Sequence, residues 1–321
     1  MSADLVRINN TLGKFALYLS NHNSICVSVS GGSDSDIIVH IIATYMREFL
    51  HKVHFVNVNT GLEYQATKDH LKYLEQRYNI QIERIRGKSV VWAIKHYGVP
   101  VLSKNHSQFI NAYIKGVPWA LRYYDDVVSG KCAKDEINRN VKKRIITPQF
   151  LKVLEEVHAR GLQVSNKCCD ISKKKPLYDF IKAHGIDLNV TGERRAEGGM
   201  RAVTHTNCFE AGNHGVDKYM PLFFWDDDTK AYYKEAEGIR YSDCYEVWGM
   251  KRTGCVGCPY NSKVGQELKL VEKYEPRMAQ ACKNVFGDSY RLIDECWNRK
   301  DKIFPEYEQI SVFDVLNEVS K

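Results

Sequence analysis

No leader opens this sequence: the first ten residues, MSADLVRINN, have neither the basic start nor the apolar stretch of a secretion signal. No apolar run approaches the length that spans a bilayer. Membrane insertion is therefore not expected, and the chain reads as cytoplasmic. Internal repeats, low-complexity tracts and Pro/Gly/Ser-rich linkers are also missing, which excludes solenoids and tethered modules. The 11 histidines contain no HxxxH pair, so no helix-borne imidazole pair is expected to hold a metal. Their one cluster, His205 and His214 with Cys208, reads as an ordinary loop. Two phosphate-binding signatures are absent from the one glycine pair that follows a strand: Gly31-Gly32 is neither a Walker loop, which needs a Gly-Lys-Ser/Thr ending, nor a GxGxxG fingerprint.

What is present begins with size. The 321 residues suffice for one large α/β domain with an appendage, or for two modest domains. With 44% hydrophobic and 26% charged residues, the chain can bury a sizeable core. Its 46 basic and 39 acidic residues leave a net charge of +7, which suits anionic ligands such as nucleotides or sulfate and leaves nucleic acid open. In a cytoplasmic chain, 10 cysteines call for a reason other than a disulfide framework. Six fall between Cys168 and Cys258, and that clustering points to a metal.

Strand and helix patterns alternate through the first hundred residues. SICVSVS reads as a buried strand, DSDIIVHIIATYMREFL as a helix whose first turn Asp34 or Ser35 can cap. KVHFVNVN is a second strand, TGLEYQATKDHLKYLEQRYN a helix, IQIERIR a third strand and SVVWAIKHYG a short helix. This rhythm predicts a doubly wound, mostly parallel sheet with helices on both faces. From about 99 to 166 it gives way to Lys- and Tyr-rich sequence, read as a helical insertion. KPLYDFIKAHG, with Pro176 in its first turn, and the strand IDLNVTG restore the order. The expected organisation is an α/β domain over 1–260 and a helical C-terminal extension over 261–321.

The stretch CVSVSGGSDSDIIVHII carries the chemistry. A strand there runs into Gly31-Gly32 and then a helix, so the backbone can approach a phosphate that the helix N–H groups and dipole would hold. Ser30, Ser33 and Ser35 add hydroxyls, and Asp34 suggests either a bound magnesium or an orienting contact within the loop. Here the chain resembles the adenine-nucleotide α-hydrolase superfamily, whose pyrophosphatase loop reads SGGxDS after the first strand. FVNVNTGLEY, with Asn59, Thr60, Gly61 and Glu63, is similar to the second-strand motif of the phosphoadenosine phosphosulfate (PAPS) reductase family. YGVPVLSK, CCDISKKKPLYDFI and VTGERRAEGGMRA resemble further segments of that family, as does YMPLFFWDDD at its strand-to-helix junction.

The resemblance implies an adenine-nucleotide α-hydrolase-like fold that binds ATP or adenylyl sulfate at Ser30, Gly31, Gly32, Ser33, Asp34, Ser35, Thr60 and Gly61. Arg194, Arg195 and Arg201 stand where basic residues face the anionic end of a sulfonucleotide, and the guanidinium fork suits sulfate or phosphate. A solvated basic loop is the plainer reading of the same arginines. On this basis Asp34→Ala is expected to remove nucleotide binding and spare the fold.

Cys255 and Cys258 form a C-x-x-C bounded by glycines, and Cys168-Cys169 supply two more thiols. In cluster-bearing members of the family a Cys-Cys pair and a distant Cys-x-x-Cys together bind a 4Fe-4S cluster; zinc is the alternative here. Cys244 is a rival fourth ligand, with Cys168 the one it would replace. Cys26, Cys132, Cys208 and Cys282 read as small buried hydrophobes.

Family reductases also carry a Glu-Cys-Gly tail with a following His, whose cysteine attacks sulfur. The segment DKIFPEYEQISVFDVLNEVSK has no cysteine, and Cys296 in LIDECWNRK reads as a helix residue. Three functions stay in play: an ATP pyrophosphatase or adenylating enzyme in sulfur chemistry, a sulfonucleotide reductase served by thioredoxin, and a non-catalytic nucleotide or redox sensor. A sulfur-donor protein is the other expected partner.

Overall fold

The computed structural model describes residues 3–130, 146–198, 205–212, 215–297 and 303. Cys132, Arg201, His214 and the segment after 303 lie outside the described residues, as does part of the expected insertion. The elements begin with α1 Ala3–Asn21, β1 Ile25–Ser28, α2 Ser33–Tyr45, β2 Val53–Val58, α3 Gln65–Tyr78 and β3 Ile82–Ile85. Next come α4 Val90–Tyr97, α5 Lys104–Ile114, α6 Pro118–Val128, α7 Pro148–Ala159 and α8 Lys175–Ala183. The chain then forms β4 Leu188–Val190, β5 Phe209–Glu210, β6 Asp217–Tyr219, α9 Asp227–Ala236, α10 Asp243–Glu246, α11 Val264–Tyr274 and α12 Pro276–Cys296.

Two compact units result. The first holds Met1–Asn59, Glu63–Gly87 and Lys174–Thr253; the second holds Thr60–Leu62, Lys88–Lys173 and Gly254–Lys321. This corrects the expected split at 260. The insertion helices and the C-terminal helices belong to one unit, because α12 packs on both α7 and α11. Arg160 at the end of α7 donates to Glu295 on α12.

In the first unit the sheet order is β3-β2-β1-β4-β6-β5. All neighbours are parallel except β5, which pairs antiparallel with β6 at the edge. The alternation of side chains along β1 explains why both faces are covered. Ile25, Val27 and Val29 join a core with Phe15 and Leu19 of α1, Ile37, Ile38 and Ile41 of α2, and Leu71 of α3. Cys26 points the other way, into a smaller core with Val56 and with Phe180 and Ile181 of α8. Burying each such aliphatic side chain contributes roughly 1.5–3 kcal/mol. Helix α2 is apolar nearly all round, and Ile37 to Ile42 are all buried, so its register under the sheet is tightly set. A parallel sheet built this way presents ligands at the carboxyl ends of its strands, where the glycine turn lies.

Two local expectations change. Neither Asp34 nor Ser35 caps α2: Gly32 holds the N-cap position, and no side chain caps it. The helix expected from Thr60 begins only at Gln65, because Gly61 turns with φ +88 and the chain leaves the first unit there.

Helix α9 shows how the polar shell is held. Asp226 caps it, accepting from the Thr229 amide at 2.8 Å and the Thr229 hydroxyl at 2.7 Å, and Arg7 of α1 also donates to its carboxylate. These donors, the Thr229 amide first, hold the carboxyl down at about 2. A carboxyl depressed on folding contributes stability above its unfolded value, about 3.9, and loses it as pH falls through the folded value. Urea unfolding should therefore find Asp226→Ala about 1 kcal/mol less stable than the parent near neutrality. That gap should close as the pH approaches 2. A gap independent of pH would remove the capping argument.

In the second unit the described part of the expected insertion is helical, as α5, α6 and α7. Phe109 and Phe150 anchor it with ring centroids 5.8 Å apart, and Val99 bridges to Val164 in parallel fashion. Among the described residues no helix is long and apolar enough to cross a membrane.

Candidate functional site

At the end of β1, Ser30 and two glycines make the turn into α2. Gly31 adopts φ +67, a left-handed conformation that side chains disfavour, and a Cβ there would lie 2.7 Å from the Thr67 methyl. A Cβ on Gly32 would meet Ser30 Oγ at 3.1 Å and Tyr245 Oη at 3.3 Å. The loop is tied internally: the Gly32 amide donates to Ser30 Oγ at 3.3 Å, and Ser35 Oγ donates to the Gly32 carbonyl at 2.7 Å. Gly192, just past β4, presses on the same place, for a Cβ there would be 3.1 Å from the Ser35 nitrogen. Only glycine at 192 lets the two chain segments approach this closely.

Two acids stand in the first turn of α2, and each has found cationic or imidazole company. Asp34 Oδ1 accepts from Arg194 Nε at 2.9 Å and from Lys230 Nζ at 2.8 Å. Arg194 is 5% exposed and spends its other nitrogens on Asp227 Oδ1 at 2.9 Å and the Trp225 carbonyl at 3.3 Å. Arg194 is thus part of the wall that orients Asp34, while Arg195 is exposed. Asp36 is fully buried and receives His70 Nε2 at 2.7 Å; burial pushes its carboxyl up, with the His70 hydrogen bond opposing. Tyr245 lies over the turn: the Ser33 amide donates to its oxygen, and its hydroxyl meets Thr253 Oγ1 at 2.9 Å. Burial raises the Tyr245 phenol.

Sequence reasoning missed His70, Lys230, Tyr245 and Thr253, which come from α3, α9, α10 and the segment after it. The one sequence signal was an acid, Asp36, set directly before the apolar run Ile37-Ile38-Val39.

The second unit gathers the thiols. Cys168, Cys169, Cys255 and Cys258 all belong to it, whereas Cys244 lies in the first unit, buried beside Thr67 Oγ1 at 4.0 Å. Cys168 and Cys169 share a hydrogen bond, and this bond lowers the Cys169 thiol, with Lys104 and Lys173 assisting against burial. The same bond, then burial, pushes Cys168 up, and negative charge at Cys258 and Cys255 adds to that. Cys258 is raised to about 12, chiefly by burial. The four thiols therefore feel one another's charge. Among the described residues no three His, Cys, Asp or Glu side chains are arrayed as a ready metal-binding group, which is consistent with a Cys168–Cys169 pair turned toward itself.

The C-x-x-C turn is rigidly seated. Gly257 adopts φ +64, and a Cβ there would lie 2.5 Å from Tyr290 Oη and 2.9 Å from Cys282 Cβ. Its amide donates to the buried Glu267 at 2.8 Å, and its carbonyl accepts from Tyr290. Cys282 is buried there and donates to the Val256 carbonyl at 3.3 Å. Thr60, expected at a nucleotide, lies beside this turn: its Oγ1 is 3.5 Å from Cys255 Sγ. The neighbouring Leu62 carbonyl accepts from Val256 at 3.1 Å. Gly61 also falls in this unit, with Ser89 Cβ 3.3 Å from where its own Cβ would stand.

Adenosine 5'-phosphosulfate reductase of Neisseria meningitidis serogroup A is 32% identical over 109 residues, 34% of this chain and 43% of that protein. An uncharacterised protein of Methanocaldococcus jannaschii is 31% identical over 284 residues, 86% of this chain and 44% of the relative. The chain thus spans less than half the length of the curated relatives it matches. Among solved structures, phosphoadenylyl-sulfate (PAPS) reductase from Candida auris, a phosphate complex, aligns at 13% identity and TM-score 0.41 over 72% of this chain and 81% of that one. The NH3-dependent NAD synthetase of Campylobacter jejuni aligns at 10% identity and TM-score 0.37, over 96% of this chain and all of that one. The profile of the phosphoadenosine phosphosulfate reductase domain matches residues 24–147 and 134–261, which together take in most of both units, and the chain belongs to that family.

Proposed function

We propose that the turn Ser30–Ser35 binds the phosphates of an adenine nucleotide, and that the protein is an ATP pyrophosphatase or adenylating enzyme acting in sulfur chemistry. The observation that carries this reading is the turn itself. A left-handed Gly31 and an N-cap Gly32 open the amino end of α2, and serine hydroxyls line it. Such an end favours a phosphate through N–H donation and the helix dipole. Adenylation would need a phosphate group held and its departing pyrophosphate charge balanced; Ser33, Ser35 and the cations around Asp34 are placed for that work.

We further propose that Cys168, Cys169, Cys255 and Cys258 hold a four-iron, four-sulfur cluster, with zinc as the alternative. The chemistry of the donor set supports this reading: four thiols lie in one unit and feel one another's charge, and the hydrogen bond from Cys168 lowers the Cys169 thiol. When bound, such a cluster would supply electron transfer or a structural tie between the two thiol segments. The chain's own part is to seat the Cys255–Cys258 turn through Glu267, Cys282 and Tyr290.

A second reading is a sulfonucleotide reductase, favoured by the likeness to adenosine 5'-phosphosulfate reductases of Neisseria meningitidis. Against it stands Cys296, the thiol of the one Glu-Cys in the chain. It is buried in α12 and its thiol is pushed up by burial, a poor state for a nucleophile. The deciding experiment incubates anaerobically purified protein with ATP or with adenylyl sulfate plus reduced thioredoxin. Pyrophosphate from ATP supports the first reading. Sulfite from adenylyl sulfate replaces it with the second, and tight nucleotide binding without either product replaces both with a sensor.

A further inference from the structure

The turn that faces the ligand contains no cation of its own, and the first turn of α2 adds two acids, Asp34 and Asp36. Left uncompensated, those acids would repel a polyphosphate. Two cations answer Asp34, and they are not equivalent. Arg194 is locked: its guanidinium reaches three acceptors from one buried position, and moving it would strand the Asp34 carboxylate and the Trp225 carbonyl. Lys230 is differently placed. It rises from α9, its side chain keeps 15% of its surface exposed, and it donates to two acceptors of the turn: Ser33 Oγ at 2.5 Å and Asp34 Oδ1 at 2.8 Å. An ammonium on a flexible stem carries three donors and can exchange acceptors without a fixed fork geometry. The Tyr241 ring, 5.6 Å from Nζ, gives the stem a face along which to swing.

We propose that Lys230 is the residue that grips the nucleotide's phosphate at the turn, moving from Asp34 onto a phosphate oxygen beside Ser33, while Arg194 stays behind as the lock on Asp34. This rests on the phosphate-binding reading of the turn. It assigns charge recognition to α9, well outside the glycine segment and outside the basic run after Gly192. Specificity follows from the chemistry: the contact favours ligands with charge at the turn, such as ATP, over uncharged adenosine.

The test measures binding of ATP, inorganic pyrophosphate and adenosine by calorimetry to the full chain, to Lys230→Gln and to Gly32→Val. Loss of one charge-assisted contact should weaken ATP and pyrophosphate about 10- to 100-fold in Lys230→Gln. Adenosine affinity should stay unchanged, and the salt dependence of ATP binding should flatten. Should Lys230→Gln fold poorly, the parent chain with reductively 13C-methylated lysines gives an independent readout, its Lys230 resonance assigned with Lys230→Arg. That resonance should shift with pyrophosphate and stay still with adenosine. ATP binding that is lost in Gly32→Val but retained in Lys230→Gln, or a Lys230 resonance that ignores pyrophosphate, overturns the role of Lys230 and leaves the turn intact as the site. A parent chain that binds neither ATP nor pyrophosphate overturns the phosphate reading itself.

Discussion

Asp34→Ala is expected to lose about 3 kcal/mol of stability, the low end of what removing one partner of a buried ion pair costs. The sequence alone suggested that this variant would spare the fold, and the structure reverses that expectation. Asp34 is the shared acceptor of Arg194 and Lys230, and Arg194 has a side chain only 6% exposed. With the carboxylate gone, the guanidinium keeps its bond to Asp227, whose own side chain is 84% exposed and well screened. The low end applies because Asp34 keeps a side-chain exposure of 14% and Arg194 retains the Trp225 carbonyl. Differential scanning calorimetry should show a drop in Tm of roughly 4–5 °C for a chain of this size. Asp34→Asn retains an acceptor and should fall less. Both should bind ATP poorly, because a released Arg194 no longer sets the shape of the turn. An Asp34→Ala protein as stable as its parent would show that the ion pair does not hold α2 to the β4 end.

The largest effect is expected at the thiols. If the proposed centre forms, Cys255→Ser or Cys258→Ser removes one of its four ligands. Metal affinity at structural thiolate sites is folding free energy, on the order of 10 kcal/mol. Anaerobically purified parent protein should be brown with about four irons per chain, and either variant should be colourless and poorly soluble. Cys244→Ser should keep both colour and iron, since Cys244 packs in the first unit against Thr67 and the other four thiols belong to the second. Iron analysis with the visible spectrum decides among these outcomes. A colourless parent that binds zinc stoichiometrically would keep the four-thiolate site and change its metal. Iron lost with Cys244 but not with Cys168 would show that the ligand set is misassigned.

Cys168 and Cys169 mark a limit of sequence reading. Their adjacency in the chain was plain, and so was their likeness to a ligand pair. That one thiol lowers its neighbour while being raised itself became visible only once Lys104 and Lys173 were placed around Cys169.

The alternation of apolar strands and helices was enough to establish the mostly parallel sheet, because burial of both sheet faces is written residue by residue. Ile25 and Val27 on one side and Cys26 on the other are a period of two that any reading recovers. The glycine turn was equally legible, since only Gly tolerates φ +67 at position 31 in so crowded a turn. The residues that surround the turn were not. Lys230 sits in DDDTKAYY and Tyr245 in SDCYEVW, segments with no local mark of a phosphate site. They reach Ser33 because the sheet order carries β4 and β6 beside β1 and so returns the chain to the turn. The surroundings of Thr60 were equally hidden: it follows β2 directly in the chain, and its hydroxyl meets Cys255, which lies far along the sequence. Local periodicity determined the sheet, its helices and the bend at the glycines. Which charges meet at that bend, and which thiols share one unit, was decided by long-range packing, because those contacts join residues that no local pattern relates.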